Sequence, residues 1–89
     1  MTSPLERNWV CYLLRCADDT LYCGITNDLD KRLAAHNAGT AAKYTRARGP
    51  VELAYVERCD DKSAALRREM AIKKMPRAAK LVLIVTTQR

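Results

Sequence analysis

The sequence predicts an α+β fold, in which a β-hairpin and a third strand share one sheet and about three helices flank it. Two short apolar runs, residues 9–16 and 21–26, are separated by turn-forming residues, which is the pattern of a hairpin. A third run, residues 51–59, partly alternates apolar and polar side chains, and helix-forming segments lie between and after these runs. A chain of 89 residues has room for one such domain, which we expect to span residues 1–89.

The predicted hairpin turns at residues 17–20, which read Ala-Asp-Asp-Thr. Tyr12 and Tyr22 flank this turn, so they can lie near one another across the two strands if the register allows it. Gly24 lies inside the second strand. A residue without a side chain at such a position indicates that another group approaches the backbone closely.

A short helix is predicted after the hairpin. Asn27 is expected to cap its N-terminus, and Asn37-Ala38-Gly39 supplies its end. Arg32 and His36 are four residues apart on one face, so they could act on the same object, or they could form a solvated surface. The apolar stripe of this helix consists of two leucines, Leu29 and Leu33.

The segment between this helix and the third strand, residues 40–50, predicts a basic loop that faces substrate. It combines small residues with one aromatic ring and several basic side chains, and it ends in Gly49-Pro50. Residues 51–59 then form the third strand, which we expect to pair with the hairpin.

Two further helices are predicted in the last third of the chain. Residues 62–74 are rich in helix formers, with acidic residues before the start and lysines at the end, which complements the helix dipole. Pro76 suits the first position of another helix, from Arg77 to about Val85, whose apolar side chains can pack on the sheet.

Basic residues outnumber acidic ones, with 16 Lys and Arg against 10 Asp and Glu and a net charge of +6. Such a surplus attracts a polyanion, so we expect nucleic acid as the partner, with a soluble enzyme that happens to be basic as the alternative. A hydrophobic content of 48% excludes a disordered chain. The residues expected to contact phosphates are Lys43, Arg46, Arg48, Lys73 and Lys74.

The four cysteines contain no C-x-x-C pair, and His36 is the one histidine, so a zinc site of standard spacing is not expected. We interpret the cysteines as reduced, small apolar residues of a cytoplasmic protein. Residues 1–7 lack the apolar segment of a signal peptide, and no run approaches the ~18 residues that a membrane span requires. We therefore expect no membrane partner.

Glu69 lies beside the apolar stripe of the long helix. Apolar side chains stand four and three residues before it and three residues after it: Ala65, Leu66 and Ile72. A carboxylate at such a position needs a partner. Either it pairs with a basic neighbour such as Arg32, or it binds a hard cation such as Mg²⁺.

The hairpin tyrosines belong to two tripeptides, Val10-Cys11-Tyr12 and Tyr22-Cys23-Gly24, ten residues apart from tyrosine to tyrosine. Arg32, His36, Lys43-Tyr44-Thr45-Arg46 and Glu69 follow in this order. The set resembles the GIY-YIG nucleases, in their small stand-alone URI-type (UPF0213-like) branch, over a core region of about residues 8–85. Cysteine replaces the usual isoleucine in both motifs. Strand alternation predicts that these two side chains, Cys11 and Cys23, point away from the tyrosines.

The resemblance implies the GIY-YIG fold, a three-stranded antiparallel sheet flanked by helices, with the catalytic residues on one concave face. Glu69 would hold one divalent cation, Mg²⁺ or Mn²⁺. Tyr12 or Tyr22 would position or deprotonate the attacking water, which as a base near neutrality requires a lowered pKa. Arg32 would clamp the phosphate, and His36 would support the tyrosine or the phosphate. Three more residues could line the site: Thr26, Asn27 and Thr45.

The implied activity is that of a metal-dependent endonuclease-type phosphodiesterase that cleaves one strand of DNA, with RNA as the second candidate. In a chain of 89 residues we expect no separate DNA-binding domain. We therefore expect it to select the shape of its substrate rather than the sequence, or to take specificity from a partner protein. The alternative is a basic nucleic-acid-binding module with weak or no catalysis. Many larger family members carry an asparagine beyond the glutamate, and none follows Glu69 here.

Overall fold

The computed structural model describes residues 9–87. Along this range the elements are β1 (Val10–Arg15), β2 (Leu21–Thr26), α1 (Leu29–Ala38), α2 (Lys43–Arg46), β3 (Glu52–Arg58), α3 (Lys62–Lys73) and α4 (Arg77–Thr87). The predicted α+β class is confirmed, and one helix, α2, is added to the three expected. The expectation for residues 1–7 lies outside the described residues, and the domain span 1–89 stays a prediction.

The three strands form one antiparallel sheet in the order β2-β1-β3, so the third strand pairs with the hairpin as predicted. In this register Tyr12 lies opposite Gly24 and Val56, and Leu14 lies opposite Tyr22. Because side chains alternate along a strand, the two tyrosines share one face of the sheet. They are diagonal neighbours rather than directly opposite each other. We call this side of the sheet the tyrosine face.

The other side of the sheet, which we call the cysteine face, packs against α3 and α4. Its buried cluster consists of Cys11, Leu13, Cys23, Tyr55, Ile72 and Ile84. The sulfur atoms of Cys11 and Cys23 are 3.7 Å apart within this cluster. The prediction that both cysteines point away from the tyrosines is therefore confirmed, and both are free thiols that fill apolar space.

The tyrosine face is covered by α1 and by the chain that enters β3. Its buried cluster consists of Tyr12, Leu14, Cys16 and Val51, with the predicted apolar stripe of α1, Leu29 and Leu33, packed against it. Asn37 ties α1 to the start of β3. Its side-chain carbonyl accepts from the backbone nitrogen of Val51 at 2.7 Å, and its amide donates to the Val51 carbonyl at 3.2 Å.

The N-terminal cap of α1 is Asp28, which accepts from the backbone nitrogen of Lys31 at 3.2 Å, so the prediction that Asn27 caps this helix is wrong. The reason lies at the end of β2. The hydroxyl oxygen of Thr26 accepts from the backbone nitrogen of Asp28 at 3.0 Å, which turns the chain beyond Asn27. The predicted end of α1 is confirmed, because Gly39 has a φ of 82°, which favours glycine.

The two long helices, α3 and α4, confirm the predictions for the last third of the chain, although α4 continues to Thr87 rather than ending near Val85. Asp61 caps α3 by accepting from the backbone nitrogen of Ala64 at 2.8 Å. Both helices pack on the cysteine face. Within residues 9–87 no helix is both long and apolar enough to cross a membrane.

Candidate active site

The ring of Tyr12 lies across the neighbouring strand and occupies the space above Gly24. A Cβ atom built on Gly24 would lie 2.5 Å from the phenol oxygen of Tyr12, closer than real Cβ contacts come. The predicted close approach to Gly24 is therefore confirmed, and the group that approaches is the tyrosine of the first motif. Although Tyr12 is only 2% exposed, its phenol group ends beside polar neighbours.

A chain of buried hydrogen bonds begins at the phenol of Tyr12. Its oxygen is 2.8 Å from Nε2 of His36, and Nδ1 of the same ring is 2.8 Å from the hydroxyl oxygen of Thr45. His36 and Thr45 are 2% and 1% exposed, so the two ring nitrogens of His36 are shielded from bulk water. The face of α1 on which His36 lies and the single turn of α2 thus meet over β1.

The neighbours of Thr45 decide the direction of these bonds. The hydroxyl of Thr45 donates to the carbonyl of Ala42 at 3.2 Å, so its oxygen accepts from Nδ1–H of His36. Burial, and then the guanidinium of Arg32, lower the pKa of His36 from its ordinary 6.5. The neutral ring has one N–H, which is on Nδ1. Nε2 therefore accepts, and Tyr12 donates its O–H to it.

The pKa of Tyr12 is raised, chiefly by burial and then by the nearby phenol of Tyr22, while the guanidinium of Arg32 acts in the opposite direction. To act directly as a base near neutral pH, Tyr12 would need a lowered pKa. Since Tyr12 donates to a neutral histidine, its proton has an acceptor at hydrogen-bond distance. Tyr12 is thus arranged to pass a proton on rather than to hold a negative charge.

Tyr22, the second motif tyrosine, is half-buried and belongs to a column of rings. Its centroid is 5.2 Å from that of His36 and 5.7 Å from that of Tyr44. The guanidinium carbon of Arg48 lies 4.0 Å above the ring of Tyr44, at the outer end of the column. His36 contacts both motif tyrosines, because its ring centroid is also 5.9 Å from that of Tyr12.

Glu69 of α3 lies near the same site but pairs with a lysine of its own helix. Its carboxylate is 3.5 Å from Nζ of Lys73, and the side chain of Glu69 is 18% exposed. The negative charge of Glu69 adds to the raised pKa of Tyr12, which places the two groups within electrostatic reach. No ion pair joins Arg32 to Glu69 among residues 9–87, so the basic neighbour expected from the sequence is Lys73.

A divalent cation at this site would rely on Glu69. Across the described range, no group of three or more His, Cys, Asp or Glu side chains is arranged to hold a metal ion. Mg²⁺ commonly takes one or two protein carboxylates and completes its shell with water and substrate phosphate. A single carboxylate that is 18% exposed fits that donor set, with Glu69 as the one protein ligand.

The basic residues predicted to contact phosphates have different surroundings. Arg48 donates to Asp18 at 3.1 Å and to the carbonyl of Tyr44 at 2.9 Å, so it fastens α2 to the hairpin turn. Lys73 pairs with Glu69. The other three predicted residues are exposed: Lys43, Arg46 and Lys74.

The three residues predicted to line the site, Thr26, Asn27 and Thr45, lie in two different places. Thr26 and Asn27 line an open groove beside Arg32, together with Lys31, which the sequence reasoning missed. Adjacent residues on a helix do not face one another, so spacing alone gave no reason to group Lys31 with Arg32. Thr45 lies beneath His36 and not on the rim.

Comparison with known proteins identifies the family. A family model described as the GIY-YIG catalytic domain matches residues 8–81. The chain is 55% identical over 73 residues to a UPF0213 protein of Natronomonas pharaonis, covering 82% of this chain and 86% of the relative. It is 51% identical over 79 residues to a UPF0213 protein of Oceanobacillus iheyensis, covering 89% and 91% of the two chains.

Two solution NMR structures share the fold. A UPF0213 protein from Bacillus halodurans superposes with a TM-score of 0.57 at 37% identity, covering 88% of this chain and 83% of the other. A protein from E. faecalis gives a TM-score of 0.59 at 38% identity with the same coverage. The described elements and these relatives thus agree on one architecture.

Proposed function

This chain belongs to the GIY-YIG catalytic domain family, and from that premise we propose that it is a metal-dependent endonuclease that hydrolyses phosphodiester bonds in one strand of DNA. RNA is the second candidate substrate. Family membership supports a nuclease activity and a nucleic-acid substrate. The dependence on a metal, the cleavage of one strand and the cytoplasmic location are parts of the proposal.

The observation that carries the proposal is the hydrogen bond from Tyr12 to neutral His36 at 2.8 Å. A water beside the phenol oxygen can donate a proton to it as the water attacks phosphorus. Tyr12 then releases its own proton to Nε2 of His36, so the phenol stays neutral throughout. Thr45 continues to accept from Nδ1–H and holds the resulting imidazolium in place.

Arg32 and Glu69 supply the charges that a phosphodiester needs. The Arg32 guanidinium has a fork of N–H donors suited to phosphate oxygens, and its charge already acts on Tyr12 and His36. Glu69 would hold Mg²⁺ or Mn²⁺. When bound, such a cation would neutralise charge on the phosphate and on the leaving oxygen. Tyr22, in contact with His36, would orient the water or the phosphate.

One set of these side chains per chain supports cleavage of one strand at each encounter. The recognised feature would be the shape of the nucleic acid rather than its sequence, because phosphate contacts carry no sequence information. A partner protein that supplies specificity is compatible with this arrangement.

The rival proposal is a nucleic-acid-binding module with weak or no catalysis. The ion pair between Lys73 and Glu69 favours it, since Lys73 occupies one side of the carboxylate that would hold the metal. The absence of an asparagine after Glu69 points the same way. Under this rival, nucleic acid still binds, but its binding does not depend on Mg²⁺.

The test is cleavage of single-stranded, duplex, flapped and branched DNA and RNA with Mg²⁺ or Mn²⁺, comparing wild type with Glu69→Gln. Glu52→Gln is the matched control, because Glu52 is an exposed carboxylate on β3 outside the site. We expect metal-dependent cleavage by wild type and by the control, and none by Glu69→Gln, with binding retained in all three. Binding without cleavage by any of them would favour the rival.

A further inference from the structure

An open groove runs along α1 from its N-terminal end toward α2. Its first half is lined by Thr26, Asn27, Asp28, Lys31, Arg32, Ala35, Thr40 and Ala41. A second concave stretch is lined by Gly39, Thr40, Ala41, Ala42, Lys43 and Arg46. Thr40 and Ala41 belong to both stretches, so the two are continuous. We call the combined feature the α1 groove.

The lining of the α1 groove suits a polyanionic backbone. Four of its residues are cationic, and the side chains between them are small or carry hydroxyls. Its carboxylate, Asp28, accepts from the backbone nitrogen of Lys31 as the cap of α1. Among the lining residues just named there is no aromatic ring on which a base could stack. The groove is therefore built for sugar and phosphate rather than for bases.

The cations of the α1 groove differ from the arginines near the hairpin turn. Arg15 and Arg77 pair with Asp19 at 3.6 and 3.2 Å, and Arg48 pairs with Asp18 at 3.1 Å. Within residues 9–87, by contrast, no ion pair engages the four groove cations, Lys31, Arg32, Lys43 and Arg46. Their charges are thus available to a ligand, whereas each of the turn arginines already has a carboxylate partner.

We propose that the α1 groove binds the sugar–phosphate backbone of one polynucleotide strand and leads it away from the reacting phosphate. The inference rests on the proposed function, because Arg32 belongs both to the candidate active site and to the groove. The strand enters at Arg32, passes the hydroxyl of Thr40 and leaves beside Arg46. Since α1 has 10 residues, the path is about 15 Å long, enough for roughly one phosphate per cation.

This placement predicts a substrate with a strand that extends beyond the cleaved bond. The groove reads no bases, so the strand is held whatever its sequence. A strand that is free of its complement and a strand that is part of a duplex offer the same phosphates. Comparing a single strand with a duplex in one assay therefore decides which of the two the groove binds.

The experiment is fluorescence anisotropy in EDTA, with a labelled oligothymidylate of about 12 nucleotides and a blunt duplex hairpin as probes. The groove variant is Lys31→Ala/Lys43→Ala/Arg46→Ala, which spares Arg32. The matched control removes three exposed cations outside the groove, Arg58→Ala/Lys62→Ala/Arg67→Ala. Circular dichroism confirms that both variants are folded.

We expect the groove variant to lose roughly tenfold or more in affinity for single strand, and its log–log salt slope to fall by about 2, at ~0.7 per phosphate lost. The control should keep the wild-type affinity and slope. An equal loss in both variants, or no loss in the groove variant, overturns the proposal. A loss on oligothymidylate supports a free strand as the occupant, and a loss confined to the hairpin supports one strand of a duplex.

The assay separates this proposal from the proposed function, because EDTA excludes metal-dependent cleavage from the readout. Binding that depends on the groove, in a protein that never cleaves with Mg²⁺, leaves the groove in place and overturns the nuclease. If the wild type cleaves with Mg²⁺ and the groove variant binds normally, the nuclease proposal stands and the groove proposal is overturned.

Discussion

The two faces of the sheet bury different chemistry from adjacent positions of the same strands. Cys11 points into a cluster of apolar side chains on the cysteine face, and its neighbour Tyr12 points into a chain of polar groups on the tyrosine face. Both residues are almost fully buried. Burial alone therefore does not distinguish a residue that holds the fold together from one that can do chemistry.

The difference lies in how each buried group is satisfied. The cysteine face has to be closely packed, and apolar side chains of α3 and α4 fill the space above it. On the tyrosine face each polar group must also find a partner in the correct direction, because an unpaired buried donor or acceptor costs about 1–3 kcal/mol. We infer that the first face tolerates changes that conserve volume, whereas the second is sensitive to single atoms.

The largest expected effect comes from Tyr12→Phe, which removes one oxygen from the tyrosine face. Without the phenol, the water loses its proton acceptor, and cleavage should fall by roughly 10²- to 10⁴-fold. The free energy of unfolding should fall by about 1–3 kcal/mol, since Nε2 of His36 is left unpaired. Cleavage rates and urea unfolding measure the two effects.

The control on the opposite face is Cys11→Ala, one residue away. It removes a buried sulfur and should lower the free energy of unfolding by a similar amount, about 1–2 kcal/mol, while cleavage per folded molecule stays at the wild-type value. If both variants lost cleavage to the same extent, the distinction between the two faces would not hold.

A smaller loss of cleavage is expected from Gly24→Ala, because a methyl group there collides with the ring of Tyr12 but leaves its phenol group present. Overpacking of this kind costs about 1–3 kcal/mol of stability and displaces the ring. Cleavage should fall with it. Gly49→Ala is the control, since the nearest atom to a Cβ there is 4.0 Å away. Equal stability of the two variants in urea would show that Tyr12 does not depend on Gly24.

Much of the fold could be predicted from the sequence, because local patterns specify its elements. The hairpin, the third strand and the long helices follow from turn residues, alternation and helix formers, each of which acts over a few residues. The cap of α1 was misplaced by one residue. A local side-chain hydrogen bond decided it, since the hydroxyl of Thr26 accepts from the backbone nitrogen of Asp28 and delays the helix beyond Asn27.

The candidate site was predictable in its members but not in its connections. The motif order indicated Tyr12 and His36, yet only the fold brings α2 over α1, so the bond from His36 to Thr45 had no signal in the spacing. Glu69 differs, because its partner Lys73 lies four residues further along the same helix, a spacing that the sequence shows, although we expected Arg32. The contacts that join Tyr12 to His36 and His36 to Thr45 link separate elements, and they come from packing.

Thr45→Val tests the last link of the hydrogen bonds that run from Tyr12 through His36 to Thr45. Valine keeps the shape but cannot accept from Nδ1–H of His36, so the histidine can shift its proton to Nε2 and lose its role as acceptor for Tyr12. We expect about tenfold slower kcat with KM unchanged, and a changed pH profile of kcat. Thr45→Ser retains the hydroxyl and should restore both. If serine and valine behaved alike, Thr45 would matter for packing only.

The smallest effect concerns the pH dependence of stability. Burial and Arg32 lower the pKa of His36 in the folded protein, so below its ordinary value of 6.5 the unfolded chain binds more protons than the folded one. Stability should therefore be fully present above that pH and decline as pH falls below it. Urea unfolding between about pH 5 and about pH 8 measures this, with His36→Asn as the control that removes the titrating group. An identical pH dependence in the two proteins would mean that His36 is not held neutral by the tyrosine face.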